Sequence, residues 1–394
     1  MFHVKPRSAL GLWLLFGLAT LLVSACSGAA GARGWSGAVQ QPGTTVVSSG
    51  AGRLVGLDGS GRVLWRFPDF WRIPDGSAEN LDGIYGEPVF SQDGSTVFVG
   101  DYNGHVYAFR PGDYREGVTQ ESVLAASWKL EGSVIGGLLL NEATDTLYVT
   151  AENRVFSLRA SDLQQRIINR DFPVRQEVLF EAGDEIWSTP VLEDGKLLFA
   201  SLDGNLYAVD PTNGDEIWRF AAASGLVTTP AVAGDVVLVA GFGSTVYGVD
   251  IDSGTEEWSF KARNWIWGRP VIDGARAFVA DFDGMVHALN VSDGESAWSL
   301  DAGRGAMRAS PALVEGTLVV SSDDGWLVGV NTSSQSTRWE TQVGTAMNAD
   351  IVADGNQALI SPNRCVTPAE GGERIYYFRV DPANGNLTGS RDVC

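Results

Sequence analysis

Chemistry in this chain could reside in a triplet that recurs at wide intervals. It reads Trp35-Ser36-Gly37, Tyr85-Gly86-Glu87, Trp187-Ser188-Thr189, Trp267-Gly268-Arg269, Arg308-Ala309-Ser310 and Asn348-Ala349-Asp350. The first position is often aromatic, the second is small, and Glu87, Arg269 and Asp350 bring charge to the third. Aromatic faces beside mixed charges suit a peptide strand or a small polar ligand. The plainer reading is that the rings fill space and the charges satisfy water or one another. Asp/Asn-Gly pairs (Asn103-Gly104, Asp203-Gly204, Asp283-Gly284, Asp324-Gly325) invite a metal reading, and Asp281-Phe282-Asp283-Gly284 resembles the start of a calcium loop. The later acidic ligands of such a loop are missing, and hairpin turns explain every copy. His105 and His287 have no cysteine or acidic partner at ligand spacing and read as core or surface histidines. Neither a nucleophile elbow, a phosphate-binding glycine loop nor a zinc spacing is present. No catalytic residue and no metal site is therefore assigned.

The triplets stand at fixed places in a larger repeat. Leu206 to Trp218 (LYAVDPTNGDEIW) returns as Val246 to Trp258, Val286 to Trp298 and Leu327 to Trp339, with tryptophans 40, 40 and 41 residues apart. A period near forty with strand-like segments inside each unit is the signature of a β-propeller or a similar array. In the clearest unit, strands are expected at Thr189–Leu192, Lys196–Ser201, Asn205–Asp210 and Glu216–Phe220. The same parse gives eight units, beginning near Trp35, Tyr85, Val134, Trp187, Val227, Trp267, Arg308 and Asn348. The expected fold is an all-β, eight-bladed propeller of four-stranded antiparallel blades, one domain over residues 35–394, with the triplets lining its channel. Unit two has an insertion at 111–124 and unit three a polar insertion at 161–176, where Phe180 stands in for the tryptophan. Long connections are also expected at 68–82 and 361–373. Insertions in repeats map to loops.

The chain has 394 residues and a net charge of −20, which repels nucleic acid and anionic lipid at long range. Lys5 and Arg7 precede an apolar run from Ala9 to Val23, too short to span a membrane, and then Val23-Ser24-Ala25-Cys26. This resembles a bacterial lipoprotein signal. The resemblance implies a signal peptide at 1–25, lipidation of Cys26 and a flexible tether at 26–34. Cys365 and Cys394 then remain. In an exported chain they read as a disulfide worth roughly 3–4 kcal/mol; two buried thiols are the alternative.

The string Ala208-x-Asp210-x-x-Asn213-Gly214-x-x-x-Trp218 resembles the tryptophan-docking repeat of the pyrroloquinoline-quinone (PQQ) propeller superfamily, over roughly Trp35 to Thr388. The resemblance implies that Trp65, Trp128, Trp218, Trp258, Trp298 and Trp339 are structural, each filling a gap between blades. Two branches of the superfamily compete. Quinone-dependent alcohol dehydrogenases are longer and have a vicinal disulfide beside the cofactor, whereas this chain has no adjacent cysteines. The lipid-anchored, eight-bladed BamB-like branch matches in length, unit count and lipobox. That branch implies a non-catalytic scaffold without cofactor, anchored on the extracytoplasmic side of a membrane. It would be the outer membrane, facing the periplasm, if the cell has one. The implied partners are proteins, such as those of a β-barrel assembly complex, with the chain a monomer outside it. The alternative is a quinone-dependent dehydrogenase-like or small-ligand-binding propeller that uses the channel mouth.

Overall fold

In the computed structural model, the described residues are 37–41, 43–49, 53–58, 62–67, 81, 83–113, 124–164, 176–362 and 377–389. They form eight four-stranded sheets, each a meander of consecutive antiparallel strands. This is the eight-bladed propeller expected from the repeat. In blade 4 the strands are Val191–Glu193, Lys196–Ala200, Asn205–Val209 and Glu216–Ala221, within two residues of the expected bounds. The signal segment, Cys26, the tether, Trp35, Cys365, Cys394 and most of the connections at 68–82 and 361–373 lie outside the described residues.

Strand position within a blade explains its composition. Second strands such as Val236–Ala240 (VVLVA) are apolar at every residue and buried throughout, because both faces of the blade meet a neighbouring blade. The outer strand Glu216–Ala221 instead alternates, exposing every residue except Trp218 and Phe220. Eight apolar clusters result, one at each seam. At the seam of blades 4 and 5, Leu198, Ala200 and Trp218 meet Val237, Val239 and Val249. The ring closes between blades 8 and 1 by the same packing, with Leu359 and Tyr377 against Ala38, Val47 and Val55. Among the described residues no strand is exchanged between these two blades.

The indoles lie on these seams. Trp65, Trp218, Trp258, Trp298 and Trp339 each stand opposite a glycine or alanine of the third strand of the same blade: Gly56, Ala208, Gly248, Ala288 and Gly329. Three of them reach the turn of the next blade. Trp218, Trp258 and Trp339 donate Nε1–H to the carbonyls of Ile251, Val291 and Pro382 at 2.8–2.9 Å. The glycine three residues beyond each carbonyl has positive φ and lies flat on the ring; a Cβ on Gly294 would come 2.3 Å from Trp258 Cε3. Blade 7 has Gln335 at that place, also at positive φ (57°), and Trp298 before it is only half-buried. Among the described residues the Nε1 of buried Trp65 has no acceptor; its turn in blade 2 is the one that runs into the insertion at 111–124.

Two readings of the repeat need correction. Trp128 lies opposite Val106, and the rung opposite the small residue Ala108 is held by Ala126. Phe180 lies opposite Val155, the rung that Phe220 and Phe260 hold in blades 4 and 5, and not that of the tryptophans. Both residues stand on the rung of Phe220, opposite Val106 and Val155, which correspond to Leu206; the bulge keeps its regular place after Ala108 in blade 2 and falls two residues earlier, next to Phe156, in blade 3. The start of the insertion at 161–176 explains how blade 2 does without an indole at the rung opposite Ala108. It opens with a short α-helix, Ala160–Gln164, whose fully buried Leu163 packs into the same cluster as Ala108, Ala125 and Ala126. The other insertion opens with a 3-10 turn at Pro111–Asp113.

Candidate functional site: the central channel

The start of each first strand borders the channel. Where the middle residue of a triplet is glycine, as at Gly86 and Gly268, the backbone of the next blade requires it. A Cβ on Gly86 would come 2.2 Å from the Gly136 carbonyl oxygen, and one on Gly268 would come 2.6 Å from that of Ala309. Among the described residues, the third residues link neighbouring blades at four of the eight seams. The N–H of Gly137 donates to Thr189 Oγ1, and that of Thr189 to Thr229 Oγ1. Arg269 N–H donates to Ser310 Oγ, and Ser310 N–H to Asp350 Oδ1, all at 2.6–3.1 Å.

Tyr85, Glu87, Trp187, Trp267, Arg269 and Asp350 all line one cavity, with Arg308, Asn348 and the Thr and Ser hydroxyls of the ring. It holds about 80 Å³ open to the centres of water molecules. One side of its mouth is an aromatic crescent. Trp187 lies 5.5 Å from Trp267, and Trp267 stacks on Phe282 at 6.1 Å. Phe242 stands edge-on to Trp187, Trp265 and Trp267. Arg308 lies over Phe282 at 4.6 Å and is held by Asp323 at 2.8 Å. On the other side Tyr85 meets Tyr102 edge to face. The triplets do not contain Tyr102, Phe242, Phe282 and Asp323. Each sits at the tip of the hairpin between second and third strands, one or two residues before the Gly or Ser that closes it; that offset was the available signal.

The family model described as outer membrane protein assembly factor BamB matches residues 180–266 and 202–393, more than half of the chain. The chain belongs to this family. The crystal structure of BamB from Moraxella catarrhalis superposes with a TM-score of 0.63 at 16% identity, covering 83% of this chain and 91% of that one. The computationally designed protein Ika8 superposes with a TM-score of 0.65 at 13% identity, covering 88% of this chain and 96% of that one. At these identities the likeness is one of fold. Among curated proteins none matches the sequence.

Charge in the lumen of this BamB-family propeller is unevenly placed. Glu87 of blade 2 and Asp350 of blade 8 flank Gly37 of blade 1, where a Cβ would come 3.5 Å from Glu87 Oε1 and 3.0 Å from the Asp350 carbonyl oxygen. Glu87 keeps much of its surface open to the lumen, but the lumen is narrow and walled by protein, so its carboxylate is poorly solvated. That desolvation, with repulsion from Asp350 and against attraction from Arg269, pushes the Glu87 carboxyl up to about 8. Asp350 is raised by the same desolvation, and the hydrogen bonds from Ser310 and the charge of Arg269 oppose the rise.

The histidines and Asp-Gly turns are otherwise engaged. Buried His287 contacts Ser299 Oγ through Nδ1 at 2.8 Å and Asp281 through Nε2 at 3.4 Å. Asp281 Oδ1 accepts the N–H groups of Asp283 and Met285, so this carboxylate closes the turn that the calcium-loop reading would need free. His105 sits 3.5 Å from Asp101. Among the described residues no group of three or more His, Cys, Asp and Glu is placed to hold a metal, and no helix is long and apolar enough to cross a membrane.

Proposed function

We propose that this chain is a non-catalytic, extracytoplasmic scaffold that binds partner proteins in outer-membrane protein assembly. The observation behind this reading is the family match across blades 4 to 8. Lipidation at Cys26 and the 26–34 tether would hold the ring at the membrane. A disulfide between Cys365 and Cys394 would brace the last blade. The acidic surface disfavours nucleic acid, and the protein would be monomeric outside its complex.

The seam of blades 3 and 4 is the favoured contact face. It lacks a docking indole and closes instead through backbone. A Cβ on Gly214 would come 1.8 Å from the Leu179 carbonyl oxygen, and Tyr148 Oη–H donates to the Pro211 carbonyl. Among the described residues the large hydrophobics left exposed are Val178 (49%) and Ile217 (47%), on the outer strands of these two blades. An outer strand has one unpaired edge. An extended partner segment could pair with such an edge while its side chains cover Val178 and Ile217.

A quinone cofactor does not suit this lumen. A planar tricarboxylate needs several free cationic groups. Arg308 is already paired with Asp323, which leaves Arg269 as the one free cation of the described lining, and Asp350 and ionised Glu87 would repel it.

Crosslinking of the protein in its native membrane, with mass spectrometry of what co-purifies, tests the scaffold reading. A β-barrel assembly complex with crosslinks near Val178 and Ile217 is the expected result. No recovered protein partner, together with dye-linked oxidation of alcohols after addition of quinone and calcium, would overturn it.

A further inference from the structure

Three charged side chains share the channel lumen without closing on one another. Blades 2 and 6 stand opposite in an eight-bladed ring, so Arg269 faces Glu87 across the lumen, with Asp350 one blade beyond Gly37. Among the described residues, neither the Glu87 carboxylate nor the Arg269 guanidinium has a hydrogen-bond or ion-pair partner. The other arginine of the lumen, Arg308, is paired with Asp323, and Arg379 of blade 8 with Asp354. Opposed, unclosed charges of both signs leave a gap that a dipolar ligand fits. A lone cation would meet Arg269, and a lone anion would meet the two acids.

The remaining lining agrees. Thr229 Oγ1, beside Arg269 in the ring, accepts the Thr189 N–H and keeps its own proton to donate into the lumen. A volume of about 80 Å³ has room for roughly five waters, so the ligand must be as small as glycine or alanine. Gly37 supplies part of that room, since any side chain there would fill the space between the acids. Trp187 and Trp267 form the aromatic side of the entrance, and an ammonium passes such faces favourably.

We propose that the channel binds a small zwitterion of the α-amino-acid type, its ammonium held by Glu87 and Asp350 and its carboxylate by Arg269. This site is independent of the scaffold reading and does not rest on it.

Calorimetric titration of the purified full-length protein with glycine, L-alanine and L-serine at about pH 8.5, where the Glu87 carboxyl (about 8) is mostly ionised, tests the proposal, with methylammonium chloride and sodium acetate as single-charge controls. The expected result is saturable binding of at least one amino acid, weakened tenfold or more in Glu87→Gln and in Arg269→Gln, with both controls at least tenfold weaker. No saturable binding up to about 10 mM overturns it, as does binding that neither substitution weakens or that methylammonium alone matches. If either variant fails to fold, ¹³C-labelled alanine on the wild-type protein decides the matter. Transfer from the Trp187 or Trp267 indole protons to alanine supports the site, and its absence overturns it.

Discussion

The Ser310 backbone N–H donates to Asp350 Oδ1 at 2.6 Å, across the seam of blades 7 and 8. One side chain at the channel wall thus locks two blades together and also contributes to the acidic side of the lumen. Asp350→Ala removes the acceptor and leaves an N–H unpaired, a loss of about 1–3 kcal/mol. Asp350→Asn keeps the oxygen and relieves repulsion with Glu87, so it should match or exceed wild type. Urea unfolding at pH 8 separates the two; equal destabilisation by both would show that the link contributes nothing.

Glu87 makes folding stability depend on pH. Its carboxyl rises from 4.5 to about 8 on folding, so the folded chain holds this proton more tightly than the unfolded one. The resulting stabilisation is complete below about pH 4.5 and is lost as pH rises toward 8. Glu87→Gln cannot ionise. Its melting temperature relative to wild type should therefore climb between pH 5 and 9, with little difference at pH 4. A flat difference across that range would contradict the raised carboxyl.

Two glycines separate backbone strain from indole packing. Gly274 and Gly294 both have positive φ, but a Cβ on Gly274 meets nothing within 4 Å, whereas one on Gly294 meets Trp258. Gly274→Ala should cost about 1–2 kcal/mol from backbone conformation alone. Gly294→Ala adds overpacking, for a total of about 2–4 kcal/mol. Chemical denaturation of the pair measures the difference, and equal losses would mean that the indole yields freely.

Leu163 substitutes for an indole from outside the repeat. Leu163→Ala should cost about 2–4 kcal/mol although it lies in what reads as a polar insertion. A loss below about 0.5 kcal/mol, typical of surface sites, would remove the helix from the core of blades 2 and 3.

Val178→Asp and Ile217→Asp test the contact face. Both residues are exposed, so stability should change by no more than about 0.5 kcal/mol, while partner crosslinks at this seam disappear. Retention of those crosslinks in the double variant would place the contact elsewhere.

Much of the architecture was legible because its signals are local. The turn from Asp250 to Gly254 and the indole of Trp258 lie within nine residues, so their period shows directly in the chain. The channel triplets were legible for the same reason. Trp128 and Phe180 were not: which rung an aromatic residue occupies is set by the pairing between strands, and the insertions before these two residues break the fixed period that would have shown it. Leu163 was hidden because a short helix inside a polar stretch has no period to announce its burial.

The sequence by itself determined the number of blades, the turn glycines and the presence of Glu87, Arg269 and Asp350 at equivalent strand starts. Only the closed ring decided that Glu87 and Asp350 meet across Gly37, with Arg269 opposite. These residues are far apart along the chain, and their distances follow from how many blades close the circle. Desolvation of their charges likewise exists only once eight blades surround one narrow lumen.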